Sequence, residues 1–151
     1  MVKPLFGGEG RGITRISDID LAERAFKMLE QLGAVIYQQE FIHHDGCDMR
    51  VLLLGDKAWG MRRSSDDWRT NVSRGAHVEP LTVTSELEEL SRRAADAVGG
   101  EFVGVDILED RTGKRYVLEV NAVPGWKALS RALEVDIAAE VLHYIQRRID
   151  L

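Results

Sequence analysis

Apolar residues recur along the chain at two spacings, every second position and every third or fourth, and the changes between them mark out the elements. Residues 2–6 have strand spacing and lead into Gly7, Gly8, Glu9, Gly10, Arg11 and Gly12, after which residues 13–16 resume an extended pattern. Ser17 with Asp20 forms a capping-box signature, and Leu21, Ala25, Met28, Leu29 and Leu32 follow at helical spacing until Gly33 supplies a stop. Residues 34–42, rich in β-branched and aromatic side chains, predict a strand, and His43, His44, Asp45 and Gly46 a polar turn. Residues 49–54 and 57–61, on either side of Gly55-Asp56, predict an antiparallel pair. The polar, weakly periodic stretch 62–80, with Arg62, Arg63, Arg69 and Arg74, reads as an ordered functional loop. Thr84 or Ser85 caps a second helix bearing Leu87, Leu90, Ala94, Ala97 and Val98, which stops at Gly99-Gly100. Residues 102–108 and 116–120 predict strands around Asp110, Arg111, Thr112 and Gly113. Asp136 then caps a final helix carrying Ile137, Val141, Leu142 and Ile145.

Composition narrows what such a chain can do. Its 151 residues are 44% hydrophobic and 30% charged, the balance of a folded, soluble domain. A net charge of −5 and a pI near 5.4 argue against a broad basic face for nucleic acid, so any polyanion must be met by a local group of cations. Cys47 is the single cysteine, which excludes an internal disulfide and a cysteine zinc cage and fits a cytoplasmic location. No apolar run has signal-peptide length or approaches ~20 residues, so neither secretion nor a membrane partner is expected. Trp59, Trp68 and Trp126 read as packing elements, and His43 and His44 as surface residues.

Candidate chemistry gathers in three places. Side chains alternate across a strand, so Glu119 and Asn121 emerge on one face. A turn centred between Thr112 and Gly113 would pair Asp106 with Glu119, their stems within about 5.5 Å. Two carboxylates and an amide there suit magnesium or manganese, hard cations that also hold a phosphate. The alternative is a pair of solvated carboxylates on an open sheet face, against which stands the apolar character of GVDIL and YVLEVNAVPG. The glycine-rich segment 7–12 lets backbone amides approach an anion, with Lys3 reaching a phosphate as a point charge. It lacks both the Walker pattern and a GxGxxG opening a helix, and a ligand-free hairpin is its alternative. Trp68, Arg69, Thr70 and Asn71, with the neighbouring arginines, offer guanidinium forks for phosphate or carboxylate. Asp48 and Arg50 share a strand face and read as an ion pair.

VKPLFGGEGRGI, QEFI, GCDMR, WRTN, GVDIL and LEVNAVPG occur together in the order and spacing of an ATP-grasp ligase, and the chain resembles the RimK-type alpha-L-glutamate ligases over essentially its whole length. The resemblance implies an α+β ATP-grasp fold, two α+β lobes of mainly antiparallel sheet sandwiching the nucleotide, here residues 1–41 and 42–151. It implies ATP and two magnesium or manganese ions as cofactors. Lys3 would contact phosphate, with Gly8, Glu9, Gly10, Arg11 and Gly12 closing over it. Glu40 and Phe41 would hold adenine, and Asp48, Arg69, Thr70 and Asn71 would complete the nucleotide site. Asp106, Glu119 and Asn121 would bind metal, and Arg69 and Asn121 would serve catalysis. The activity implied is phosphorylation of a carboxylate by ATP, then attack by an amine, typically that of glutamate. Partners implied are an amino acid and a carboxylate acceptor on a small molecule or protein tail, with homo-oligomerisation left open.

Family members carry a further N-terminal domain, and only Met1 and Val2 precede Lys3, so the chain is expected to correspond to the C-terminal, ATP-grasp portion. A nucleotide-binding module without turnover is the alternative. A metal-dependent nuclease is a more distant one, because Asn121 stands where such a hairpin carries lysine.

Overall fold

The computed structural model describes residues 1–4, 12–66, 68, 70 and 75–149. The chain forms two compact units, Met1–His43 and His44–Leu151.

In the first unit β1 (Val2–Pro4) pairs antiparallel with β2 (Ile36–Gln38), placing Lys3 opposite Tyr37. Residues 13–16 add only an isolated bridge between Val2 and Thr14, and the strand expected over 34–42 contracts to the three residues that β1 can pair. The helix α1 (Ile19–Gln31) is capped by Asp18, whose carboxylate accepts the Leu21 N–H at 2.9 Å. That displaces the cap one residue from Ser17, because Asp18 has the extended backbone a cap needs. No residue of α1 is buried, and Leu21, Met28 and Leu32 are exposed although their spacing predicts a core face. Two paired strands of three residues offer too little surface to cover a thirteen-residue helix.

The second unit is built on a five-stranded antiparallel sheet in the order β5-β4-β3-β6-β7. Its strands are β3 (Cys47–Leu54), β4 (Lys57–Ser64), β5 (His77–Leu81), β6 (Phe102–Glu109) and β7 (Arg115–Asn121). The helices are α2 (Ser85–Asp96), α3 (Lys127–Leu133) and α4 (Ile137–Ile149). Period-2 alternation sends Met49, Val51 and Leu53, with Val103, Val105 and Ile107, toward Leu87 and Ala95 of α2. On the other face Leu52 and Met61 pack with Leu129 of α3 and Ile137 of α4. Each fully buried Leu or Ile contributes about 1.5–3 kcal/mol of transfer free energy. Among the described residues no helix is long and apolar enough to cross a membrane.

Two elements depart from the expected loop over 62–80: β4 runs on to Ser64, and β5 carries Pro80. Proline argues against a strand because it cannot donate to a ladder, yet β5 lies at the sheet edge, where one side needs no donor. The helix α3 escapes the sequence pattern because it spans seven residues and has no side-chain cap.

Candidate functional site

The face of the sheet that packs on α3 and α4 changes character along its strands. Its β3 positions read Asp48, Arg50, Leu52 and Leu54, so the apolar end lies beneath the helices and the other end is ionic. The β3–β4 hairpin places Arg63 opposite Asp48, and β6 places Asp106 opposite Arg50. Arg63 donates from Nε to Asp48 Oδ1 at 2.6 Å and from Nη2 to Asp48 Oδ2 at 2.7 Å. Its Nη2 also lies 2.9 Å from Asp106 Oδ2. Arg50 grips the same Asp106 as a fork, Nε to Oδ1 at 2.6 Å and Nη2 to Oδ2 at 2.7 Å. Asp48 and Arg50 therefore pair across strands and not with each other. Directly opposed side chains stand ≈ 4.5–5.5 Å apart, whereas i and i+2 on one strand are separated by two rises of ≈ 3.4 Å.

Asp106 and Glu119 are partners in the β6–β7 ladder, by a route different from the one the turn implies. Leu108 faces Tyr116 and Glu109 faces Arg115, which centres the turn on Thr112. That register, continued, would set Glu119 against Val105 on the core face. An irregularity between Asp106 and Ile107 inserts Leu118 and restores Glu119 to Asp106. It also lets both Val117 and Val120 pack on the core beneath α2 while Glu119 and Asn121 take the opposite face.

Burial presses Asp106 toward protonation, but the Arg50 hydrogen bonds and the charges of Arg63 and Arg50 outweigh it and hold the carboxyl below its ordinary range. For Asp48 burial prevails: the pKa is raised against the charge and hydrogen bond of Arg63 and the Thr70 hydroxyl, and the Asp106 charge adds to the rise. The two carboxylates move in opposite directions because Asp106 is shared by two guanidiniums and Asp48 is held by one. Arg63 is buried, which opposes its charge, yet Asp106 and Asp48 together raise its pKa.

Of the other expected residues, Thr70 is buried and its hydroxyl donates to Asp48 Oδ2 at 2.5 Å. Asn121 lies opposite Gly104, and its Oδ1 accepts the Val123 N–H at 2.9 Å. Glu119 is 60% exposed and its Oε1 lies 3.8 Å from Arg50 Nη2. Arg50 thus lies against both Asp106 and Glu119, the two carboxylates of the expected metal set. In the first unit Lys3 Nζ donates to Gln39 Oε1 at 2.6 Å. Phe41 receives the Arg15 guanidinium 3.9 Å from its ring centroid, Glu40 is exposed and Gly12 has φ +76°. Gly8, Glu9, Gly10, Arg11, Arg69 and Asn71 lie outside the described residues. His44, expected at the surface, is half-buried and its pKa is lowered by that burial. Trp59 and Trp126 pack against the core as expected.

Among the described residues no three His, Cys, Asp or Glu side chains gather as a metal cage. The expected set has only two carboxylates, its third donor being an amide. It suits a hard divalent cation, because Asp106 and Glu119 already lie beside one cationic group. The residues missed by sequence reasoning are Arg50 as a partner of Asp106 and Arg63 as anything more than a loop cation. Counting outward from Gly55-Asp56 pairs Asp48 with Arg63, so that signal was present.

Comparison with known proteins places this architecture among the ATP-grasp ligases. The ATP-grasp ligase PsnB, solved with a phosphomimetic variant of its minimal precursor, Mg and ADP, matches with a TM-score of 0.69 and 27% identity, over 96% of this chain and 45% of that one. The family model of the RimK-like ATP-grasp domain matches residues 1–145, and the chain belongs to that family. The tetrahydromethanopterin:alpha-L-glutamate ligase of Methanococcus maripaludis is 39% identical over 148 residues, covering 94% of this chain and 50% of the relative. The ribosomal protein bS6–L-glutamate ligase of Escherichia coli O139:H28 is 32% identical over 151 residues, covering 97% and 50%. The chain spans about half the length of the curated relatives it matches.

Proposed function

We propose that this chain is the nucleotide-binding portion of an ATP- and magnesium-dependent carboxylate–amine ligase of the cytoplasm, joining glutamate or a related amino acid to a carboxylate. The observation that carries the reading is the ionic ladder of Asp48, Arg63, Asp106, Arg50 and Glu119 on one sheet face of a RimK-like ATP-grasp chain. Phosphoryl transfer to a carboxylate gives an acylphosphate, which the amine attacks with loss of phosphate. Such a reaction needs positioning and charge neutralisation and no protein nucleophile.

On this reading the two units are the two lobes of the core. Lys3 and the glycine loop hold phosphates, Glu40 and Phe41 hold adenine, and Asp48, Arg69, Thr70 and Asn71 complete the nucleotide site. Asp106, Glu119 and Asn121 bind up to two magnesium ions, with Arg69 and Asn121 serving the transfer. Magnesium, when bound, supplies charge neutralisation at the transferred phosphoryl group. Arg63 fixes the Asp48 and Asp106 carboxylates in place. The named relatives are ligases of tetrahydromethanopterin and of ribosomal protein bS6, so the acceptor is proposed only as a carboxylate. A second reading is nucleotide binding without turnover, which calls on the same nucleotide residues and on no acceptor.

Calorimetry with AMPPNP and magnesium tests the site, with binding expected and lost in Glu119→Ala. ADP release on adding glutamate and candidate acceptors, by this chain and by a chain extended to the relatives' length, separates the two readings. Absence of AMPPNP binding by both chains defeats both.

A further inference from the structure

We propose that Arg50 is an exchangeable counterion, which keeps Asp106 closed to metal until an incoming phosphate draws the guanidinium away. The proposal rests on the nucleotide and magnesium reading above.

Both oxygens of Asp106 are engaged. Oδ1 accepts from Arg50 Nε at 2.6 Å, and Oδ2 accepts from Arg50 Nη2 at 2.7 Å and lies 2.9 Å from Arg63 Nη2. The Arg50 fork thus fills the edge of the carboxylate by which a cation would be chelated. Its Nη2 lies 3.8 Å from Glu119, the second carboxylate of the expected metal set. A divalent ion entering there meets a fixed positive charge at close range, and repulsion in a partly buried site is several times stronger than in water.

The two arginines are not equivalent. Arg63 is 4% exposed and is clamped by both oxygens of Asp48 as well as by Asp106, so it is a fixed brace. Arg50 is 13% exposed, and its described partners are the two carboxylates that a metal would claim. If Arg50 swings out, Asp106 stays aimed, because Arg63 Nη2 still lies 2.9 Å from its Oδ2. A phosphate is a suitable new partner, since it accepts the same bidentate fork that the carboxylate does. Metal and phosphate then bind as a coupled pair, each raising the affinity of the other by the same factor.

The test is a titration of the full chain with Mn²⁺ alone, counting free ion by electron paramagnetic resonance. Wild type is expected to bind Mn²⁺ weakly without nucleotide. Arg50→Gln is expected to bind it about tenfold or more tightly, the scale set by withdrawing a unit charge from a partly buried site. Adding Glu119→Gln to Arg50→Gln removes the gain and so locates the ion. Circular dichroism checks the fold. Should Arg50→Gln not fold, Arg50→Lys replaces it, since lysine keeps the charge but loses the fork and is expected to move Mn²⁺ affinity in the same direction by less. Wild type binding Mn²⁺ alone as tightly as the folded variant overturns the proposal. That outcome, with AMPPNP and magnesium still binding in calorimetry, leaves the nucleotide reading standing, whereas absence of AMPPNP binding by this chain and by the extended one defeats the reading itself.

Discussion

Replacing Arg63 by methionine tests the ionic ladder at its most buried point. The side chain is 4% exposed, the Asp48 and Asp106 side chains that it joins are 5% and 9% exposed, and solvent therefore screens the pairs little. Asp106 retains Arg50 in the variant, but Asp48 keeps only the Thr70 hydroxyl among its described partners. Orphaning one member of a buried ion pair costs about 3–5 kcal/mol, and the lower end applies because Asp48 can relieve the burial by taking up a proton. Against a typical domain stability of about 5–15 kcal/mol, the loss is large. Urea unfolding followed by tryptophan fluorescence measures it, since Trp59 and Trp126 pack on the core. Adding Asp48→Asn removes the orphan charge and is expected to return about 2 kcal/mol or more. The pH dependence has a definite sign. The Asp48 pKa is already raised by burial, and loss of Arg63 raises it further above the unfolded value. A raised carboxyl contributes stability that is complete below its unfolded pKa and lost as pH rises through its folded pKa. The deficit should thus be smaller at about pH 5 than at about pH 7. A loss under about 1 kcal/mol, or a double variant no better than the single, would refute the assignment of Arg63 as a brace.

Two further expectations address the scaffold around the site. Asp110 gathers the Thr112 hydroxyl at 2.6 Å, the Thr112 and Lys114 N–H groups at 2.8 and 3.0 Å and the Tyr116 hydroxyl at 3.0 Å, and these hold its pKa down to about 2. Its support of the β6–β7 turn should be present above the unfolded carboxylate range and fade as pH falls through about 2, and a nuclear magnetic resonance titration giving an ordinary value would contradict this. Gly60→Ala should destabilise the sheet by about 1–3 kcal/mol in the same urea assay. The added Cβ would lie 2.7 Å from the Leu81 carbonyl oxygen and 2.9 Å from Val83 Cγ2, and a change under about 0.5 kcal/mol would show that β5 gives way.

What the sequence discloses about this site follows the distance over which strand pairing is local. Hairpin partners can be counted from their turn, and the Gly55-Asp56 turn pairs Asp48 with Arg63 without any knowledge of the fold. The same count on β6–β7 names the right partners for an incomplete reason. The turn sits half a residue from its assumed centre, and Leu118 makes up the difference because Val117 takes the core face and Glu119 cannot follow it there. The Arg50–Asp106 pair is invisible to counting, since β3 and β6 are joined through β4, β5 and α2 and no local signal says which non-consecutive strands become neighbours. Pro80 misleads for a related reason, because its cost depends on whether the strand has one neighbour or two. The apolar stripe of α1 is legible as a helix, while its exposure is not, because periodicity names a face and not what covers it.

An acidic chain that binds a polyphosphate has two ways to arrange its cations: it can concentrate them in a surplus, or pair each with a carboxylate that another cation can later claim. The described ionic face takes the second course, with Asp48, Asp106 and Glu119 set against Arg50 and Arg63, one negative charge in excess. Phosphate alone would add charge of the sign already in surplus, and metal alone would enter beside the Arg50 guanidinium. Only their joint arrival lets Arg50 pass from a carboxylate to a phosphate while a divalent ion takes its place, so that every charge keeps a partner throughout. On the proposed reading, the ion pairs that stabilise this sheet are the same groups that make nucleotide and metal depend on one another.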